Sequence, residues 1–113
     1  MTITQTGFKK DVAGTYIFKD PGAEIAYTVD WSEWLAPSDT IVTSTWTIST
    51  VTGDGANALV KSSDGITSAN THTYIEVNKG TSGNTYVVKN TVVTDGGTTD
   101  VRRFRIRVLD RYL

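Results

Sequence analysis

The segment Thr85-Tyr-Val-Val-Lys-Asn-Thr-Val-Val-Thr94, the turn Asp95-Gly-Gly97 and the segment Thr99-Asp-Val-Arg-Arg-Phe-Arg-Ile-Arg-Val-Leu109 decide the fold. Each long segment alternates with period two, the repeat of side chains on a strand. Tyr86, Val88 and Val92 share one face of the first. In the second, Phe104, Ile106 and Val108 share a face with Arg102, and Val101, Arg103, Arg105, Arg107 and Leu109 take the other. Asp-Gly-Gly supplies the positive φ that a tight hairpin needs. The segment therefore predicts a long closing hairpin, one face apolar and the other carrying a row of arginines.

The same grammar extends toward the N-terminus. Ile25, Tyr27, Val29 and Trp31 alternate with Glu24, Ala26, Thr28 and Asp30, after the turn signal Asp20-Pro-Gly22. Residues 32–39 break the alternation and contain Trp34 and Leu35, which fits one helical turn or a corner between sheets. From about Thr40 to Thr50 a strand is expected with Val42, Ser44, Trp46 and Ile48 on one face and Thr43, Thr45 and Thr47 on the other. Shorter strands are expected at Ala58–Lys61 and Thr71–Val77, with turns at Gly53-Asp-Gly55, Ser63-Asp-Gly65 and residues 79–84. No window has the apolar spacing of a useful helix, and the twenty threonines favour strands. An all-β, Ig-like antiparallel β-sandwich of about seven strands is expected, with a Greek-key barrel as the alternative. Residues 1–19 read as a short N-terminal arm and 20–113 as the sandwich domain. Trp46 falls where such sandwiches keep a core tryptophan, and Tyr86 falls where a tyrosine corner would sit. Trp31 and Phe104 are core-phased as well.

Composition narrows the functional classes. The 113 residues suit one domain, with no apolar run of membrane-spanning length and no signal-peptide pattern. Without cysteine there is no disulfide, thiol nucleophile or thiolate metal site. A single histidine, His72, stands in no nucleophile signature, and no Gly-x-Ser-x-Gly elbow occurs. The carboxylates are scattered through turns. Asp54 and Asp64 lie in Gly-containing loops, but the alternating Asp pattern of a calcium loop is missing. No enzyme activity, cofactor or metal is expected.

The formal net charge of −1 conceals an asymmetry: all five arginines lie between Arg102 and Arg111. Arg103, Arg105 and Arg107 are the sharpest candidates for an interface, because three like charges in a row repel and arginine suits buried protein contacts. The competing reading has their stems covering the sheet and their heads pairing across strands. Nucleic acid is disfavoured by the slightly acidic total and by the lack of aromatic residues among the arginines on that face. Trp34, in the corner, is the candidate for an exposed aromatic contact with a protein or a sugar.

Two stretches resemble a known family. Asp20-Pro-Gly-Ala-Glu-Ile-Ala-Tyr-Thr-Val-Asp-Trp-Ser-Glu-Trp-Leu-Ala-Pro-Ser-Asp-Thr-Ile41 and Gly83-Asn-Thr-Tyr-Val-Val-Lys-Asn-Thr-Val-Val-Thr-Asp-Gly-Gly-Thr-Thr-Asp-Val-Arg-Arg-Phe-Arg-Ile-Arg-Val-Leu-Asp-Arg111 are similar to small Ig-like structural proteins of tailed bacteriophages, of the fiber-tail adaptor type. The Trp-Ser-Glu-Trp-Leu corner and the Arg-Phe-Arg-Ile-Arg-Val strand are the specific parts. The resemblance implies a non-enzymatic virion protein. Its partners would be tail, portal-proximal, fiber or capsid proteins, met in several copies on a symmetric assembly and without a membrane. Capsid decoration, and glycan or host-surface binding through Trp34, are the alternatives.

Overall fold

A computed structural model describes residues 8–11, 14–49, 55–67 and 69–110. Eight strands are described: β1 (Lys9–Asp11), β2 (Gly14–Lys19), β3 (Ile25–Asp30), β4 (Ile41–Ile48), β5 (Val60–Thr67), β6 (His72–Asn78), β7 (Thr85–Thr94) and β8 (Thr99–Val108). They form a five-stranded sheet, ordered β1-β2-β8-β7-β4, and a three-stranded sheet, ordered β3-β6-β5. All pairings are antiparallel except β2 with β8. Seven of the strands, β2 to β8, follow the Ig-like order, and β1 adds an outer rung beside β2.

The closing hairpin forms as its alternation predicts. Gly97 has φ +86°, and its N–H donates to Thr94 O at 2.9 Å. Tyr86, Val88, Val92, Phe104, Ile106 and Val108 are buried between the sheets with Tyr27, Trp46, Ile75 and Val77. Trp46 meets the ring of Phe104 edge-on at 6.3 Å. The Tyr86 hydroxyl accepts the Thr81 N–H at 3.0 Å, the tie of a tyrosine corner, which fixes the 79–84 turn at the end of the sandwich. Gly80 in that turn has φ +102°, and a Cβ there would lie 2.8 Å from Val108 Cγ2, so a larger residue would push the turn off the core.

The interior is not wholly apolar. Trp31 Nε1 donates to Thr73 Oγ1 at 3.0 Å, and Thr73 Oγ1 donates to Asn90 Oδ1 at 2.6 Å. Asn90 Nδ2 donates to Ser44 Oγ at 2.9 Å and to Thr45 O at 3.2 Å. This chain joins the end of β3 and β6 in one sheet to β7 and β4 in the other. Trp31, Thr73 and Asn90 are fully buried, so each polar atom depends on the next for its partner. The other ionic surprise is Lys19, only 1% exposed, whose Nζ donates to Asp20 O at 2.9 Å and Lys79 O at 2.7 Å. Burial holds this ammonium below the ordinary lysine range, opposed by the Asp20 carboxylate.

The N-terminal arm, expected to be partly ordered with short strands possible at Phe8–Lys10 and Thr15–Lys19, contains β1 and β2, and Ile17 of β2 is buried in the core, while residues 1–7 lie outside the description. Two expectations change. Ser63-Asp-Gly65 is not a turn. A register shift between Lys61 and Ser63 absorbs the irregularity, and β5 runs on beneath Tyr74, whose ring would lie 2.8 Å from a Cβ on Gly65. Val42 does not face the core with Trp46. A bulge between Ile41 and Thr43 turns it outward, leaving it 50% exposed and seating Ile41 inside. The 53–55 turn is largely outside the described residues, with Asp54, while Asp64 sits in β5 and accepts from Lys61 at 3.1 Å.

Asn90→Ala is expected to cost about 2–3 kcal/mol, because it removes the partner of the buried Thr73 hydroxyl on β6 and of the Ser44 and Thr45 groups on β4. Ser44→Ala, which removes one acceptor, should cost about 1 kcal/mol. Urea denaturation with unchanged m-value checks both. For Lys19 the unfolded chain binds the proton more tightly than the folded one. Its contribution therefore makes stability rise with pH between the lowered folded value and the ordinary lysine value of 10.5. Stability measured against pH through the alkaline range should show this rise in the native protein and lose it in Lys19→Met.

Candidate functional site

The outer face of the five-stranded sheet gathers Arg103, Arg105, Arg107 and Lys89. Its rungs follow from the register. Arg103 lies opposite Lys89, which lies opposite Thr47. Arg105 lies between Val87 and Tyr16, and Tyr16 lies opposite Lys9. Arg107 lies between Thr85 and Phe18. Same-face neighbours along a strand are roughly 6.5–7 Å apart, so the three arginines form a row with Lys89 beside its first member. β2, β4 and β7 contain no carboxylate, and the one in β8, Asp100, is in phase with Phe104 instead. β1 adds Lys9 and, at its outermost rung, Asp11 to the same phase.

The row is held by aromatic rings. The Arg107 guanidinium carbon lies 4.4 Å from the Tyr16 ring centroid and that of Arg105 lies 5.4 Å from it. Phe18 meets Tyr16 edge-on at 5.6 Å. Arg105 Nη2 also donates to Gly14 O at 3.0 Å. The negative face of the ring attracts both cations and offsets part of their mutual repulsion. Arg105 and Arg107 are half-buried, while Arg103 is exposed. The expectation that no aromatic side chain interleaves with the arginines is thus corrected. Tyr16 and Phe18 arrive from β2, paired in parallel with β8 and some ninety residues away in sequence. No local pattern in either segment reveals that pairing.

Arg102 plays a different part. Its guanidinium carbon lies 4.2 Å from the Trp31 ring centroid, and Nη1 donates to Asp30 O at 3.0 Å, closing one end of the sandwich. Trp34 is half-buried and packs edge-on against Trp31 at 5.3 Å, with its corner folded as a helical turn by bonds from Trp34 N and Leu35 N to Trp31 O. It packs against the second core cluster and keeps part of its surface exposed. His72, at the start of β6, has Nδ1 at 2.8 Å from Thr71 Oγ1 and Nε2 at 3.4 Å from Asp30 Oδ1. Hydrogen bonds from Ser32, and to a smaller degree the nearby charges of His72 and Arg102, hold the Asp30 carboxylate below its ordinary range against the opposing effect of desolvation. Among the described residues, no three of His, Asp or Glu are grouped to hold a metal ion.

Comparison with protein families gives one match, over residues 19–107, to the family described as podophage GP4 fiber-tail adaptor protein gp77. The chain belongs to this fiber-tail adaptor family. The matched span runs from the end of β2 to the penultimate residue of β8 and so includes the whole arginine row and the core clusters apart from Ile17 and Val108. No curated protein matches the chain. Membership makes the adaptor a phage structural protein, non-enzymatic in kind. Tyr16 lies before the matched span, so the ring that seats Arg105 and Arg107 is a feature of this chain's own β2.

If Tyr16 seats the row, Tyr16→Phe keeps the ring and should leave stability near that of the native adaptor. Tyr16→Leu should lose about 1 kcal/mol through the missing cation–π contacts. Equilibrium unfolding of the two variants side by side measures the difference.

Proposed function

We propose that the chain is a virion component that docks on the phage tail and helps to attach fibers, and that it does so through the outer face of its five-stranded sheet. The single observation that carries this reading is the row Arg103, Arg105 and Arg107 with Lys89, on strands that bring no carboxylate to that face. A partner surface with carboxylates at similar spacing would satisfy it. Arginine makes bidentate, planar pairs with carboxylates, and a guanidinium already stacked on Tyr16 loses less freedom on binding than a solvated one.

The family supports a partner among tail and fiber proteins. Repetition of the module around a symmetric particle would multiply individually modest contacts into a durable joint. The chain's slight net negative charge favours a protein partner over nucleic acid, since long-range attraction to a polyanion would be weak.

Charge reversal at Arg103, which is exposed, and at its half-buried neighbour Lys89 tests the reading without touching the aromatic seat. Arg103→Glu with Lys89→Glu should fold as the native chain does and lose at least about tenfold in binding to purified tails, a cost in the range of truncating interfacial charge pairs. Native binding should also weaken as salt rises. The gentler set Arg103→Gln, Arg105→Gln and Arg107→Gln should act in the same direction. Unchanged incorporation of the reversed variant into particles would overturn the assignment of this face.

A further inference from the structure

The two sheets have four edges, and three of them are blunted. β1 is three residues long and every residue is charged. β5 carries a register shift between Lys61 and Ser63 and an ion pair of Lys61 with Asp64 at 3.1 Å. β3 ends at Asp30, whose carbonyl is taken by Arg102, and Phe8 from the N-terminal hairpin leans on its Tyr27 at 5.9 Å. These are the devices by which sheet edges avoid further pairing. β4 differs. Its eight residues, Ile-Val-Thr-Ser-Thr-Trp-Thr-Ile, contain no charge and no proline, and its bulge occupies only the first rung. Among the described residues no strand pairs with its outer side.

The edge offers a regular set of backbone groups. Ser49 N–H donates to Val87 O at 2.9 Å. Backbone direction alternates along a strand, so Thr45 and Thr47 point their groups at β7. Those of Ser44, Trp46 and Ile48 lie on the open side.

The geometry points to a second copy of this chain as the occupant, with β4 pairing antiparallel to β4 across a two-fold axis at Thr45. In that register Ser44 of each copy lies opposite Trp46 of the other, a hydrogen-bonded pair on both sides of the axis. Thr43 lies opposite Thr47 of the other copy and Thr45 opposite itself, and threonine–threonine pairs are favourable cross-strand neighbours. Trp46 Nε1 is buried without a hydrogen-bond partner among the described residues, and this register brings a hydroxyl residue, Ser44, to its cross-strand position. Charge selects a copy here and forbids one at the opposite rim. The β4 edge brings no like charges together, whereas a two-fold axis at β1 would set a lysine opposite a lysine, Lys10 facing its own copy or Lys9 facing Lys10. The nearest cations, the two Lys89 residues, would be three strand spacings apart across the sheet and four residues apart along it, about 20 Å, beyond the physiological screening length of about 8 Å. The result is a ten-stranded sheet whose outer face carries both arginine rows. The inference stands independently of what that face binds.

A residue on a two-fold axis meets itself, which gives a direct test. Thr45 is exposed and its side chain holds no core contact, so Thr45→Glu and Thr45→Lys should unfold like the native chain. Sedimentation velocity over a concentration series should show native dimers. Each variant alone should self-associate roughly fivefold or more weakly, because like charges then lie directly opposite. A mixture of the two should regain association as a Glu–Lys heterodimer, and Thr45→Ser should behave as native. A native chain that stays monomeric throughout, or dimers indifferent to both charged variants, would overturn the inference. So would a mixture no more associated than its components.

Discussion

The structure depends on the hydrogen-bond chain that runs from Trp31 through Thr73 to Asn90 and on to Ser44 and Thr45. A cysteine-free sandwich has only packing to hold its sheets in register, and packing alone is tolerant of sliding. A buried polar chain is not tolerant. Each of its donors and acceptors was stripped of water on folding and is satisfied only when β3, β4, β6 and β7 stand in one relative position. The chain thus converts an apolar sandwich into a fixed frame. Trp31 extends that frame to the sandwich end, where Arg102 stacks on one side of the corner and Trp34 packs on the other.

That fixed frame gives the outer face its meaning. β7 is held from within by Asn90, and β8 is held by β7 on one side and by β2 on the other. The outward residues of β8 therefore project from a rigid support at constant spacing. Repulsion along Arg103, Arg105 and Arg107 would otherwise spread the row or shift it. Tyr16 and the carbonyl of Gly14 fix two of the three heads instead. Rigidity of backbone and of side chain together make this a surface with low ordering cost on binding, which suits a protein whose family joins fibers to a tail.

Much of the fold is legible in the sequence because the hydrophobic period is strict where both faces of a strand differ. The closing hairpin, β3 and β6 all show it, and the hairpin turn carries Gly97 at the positive φ that it requires. Legibility fails where one residue breaks the count. The bulge at Val42 inverts a single side chain, and the shift near Ser62 lets a strand run through a sequence that spells a turn. The arginine row is legible from phase alone. Its seat is not, because Tyr16 and Phe18 belong to a parallel strand at the other end of the chain, and Gly14–Lys19 is too short to declare its partner. The polar chain is equally hidden: Thr73 and Asn90 are ordinary polar residues until the register shows that both face inward. Arg102 and Arg103 are adjacent and chemically identical, yet one closes the core and the other faces solvent, a division set wholly by strand phase.

The central claim is that this frame presents the arginine face to a carboxylate-bearing neighbour on the tail. A cryo-EM reconstruction of the particle, at a resolution that shows side chains, tests it most directly. The account requires the outer face of the five-stranded sheet to be buried against another chain, with carboxylate oxygens at hydrogen-bond distance from Arg103 and its neighbours in the row. A reconstruction in which that face is open to solvent and the three-stranded sheet makes the contact would contradict it.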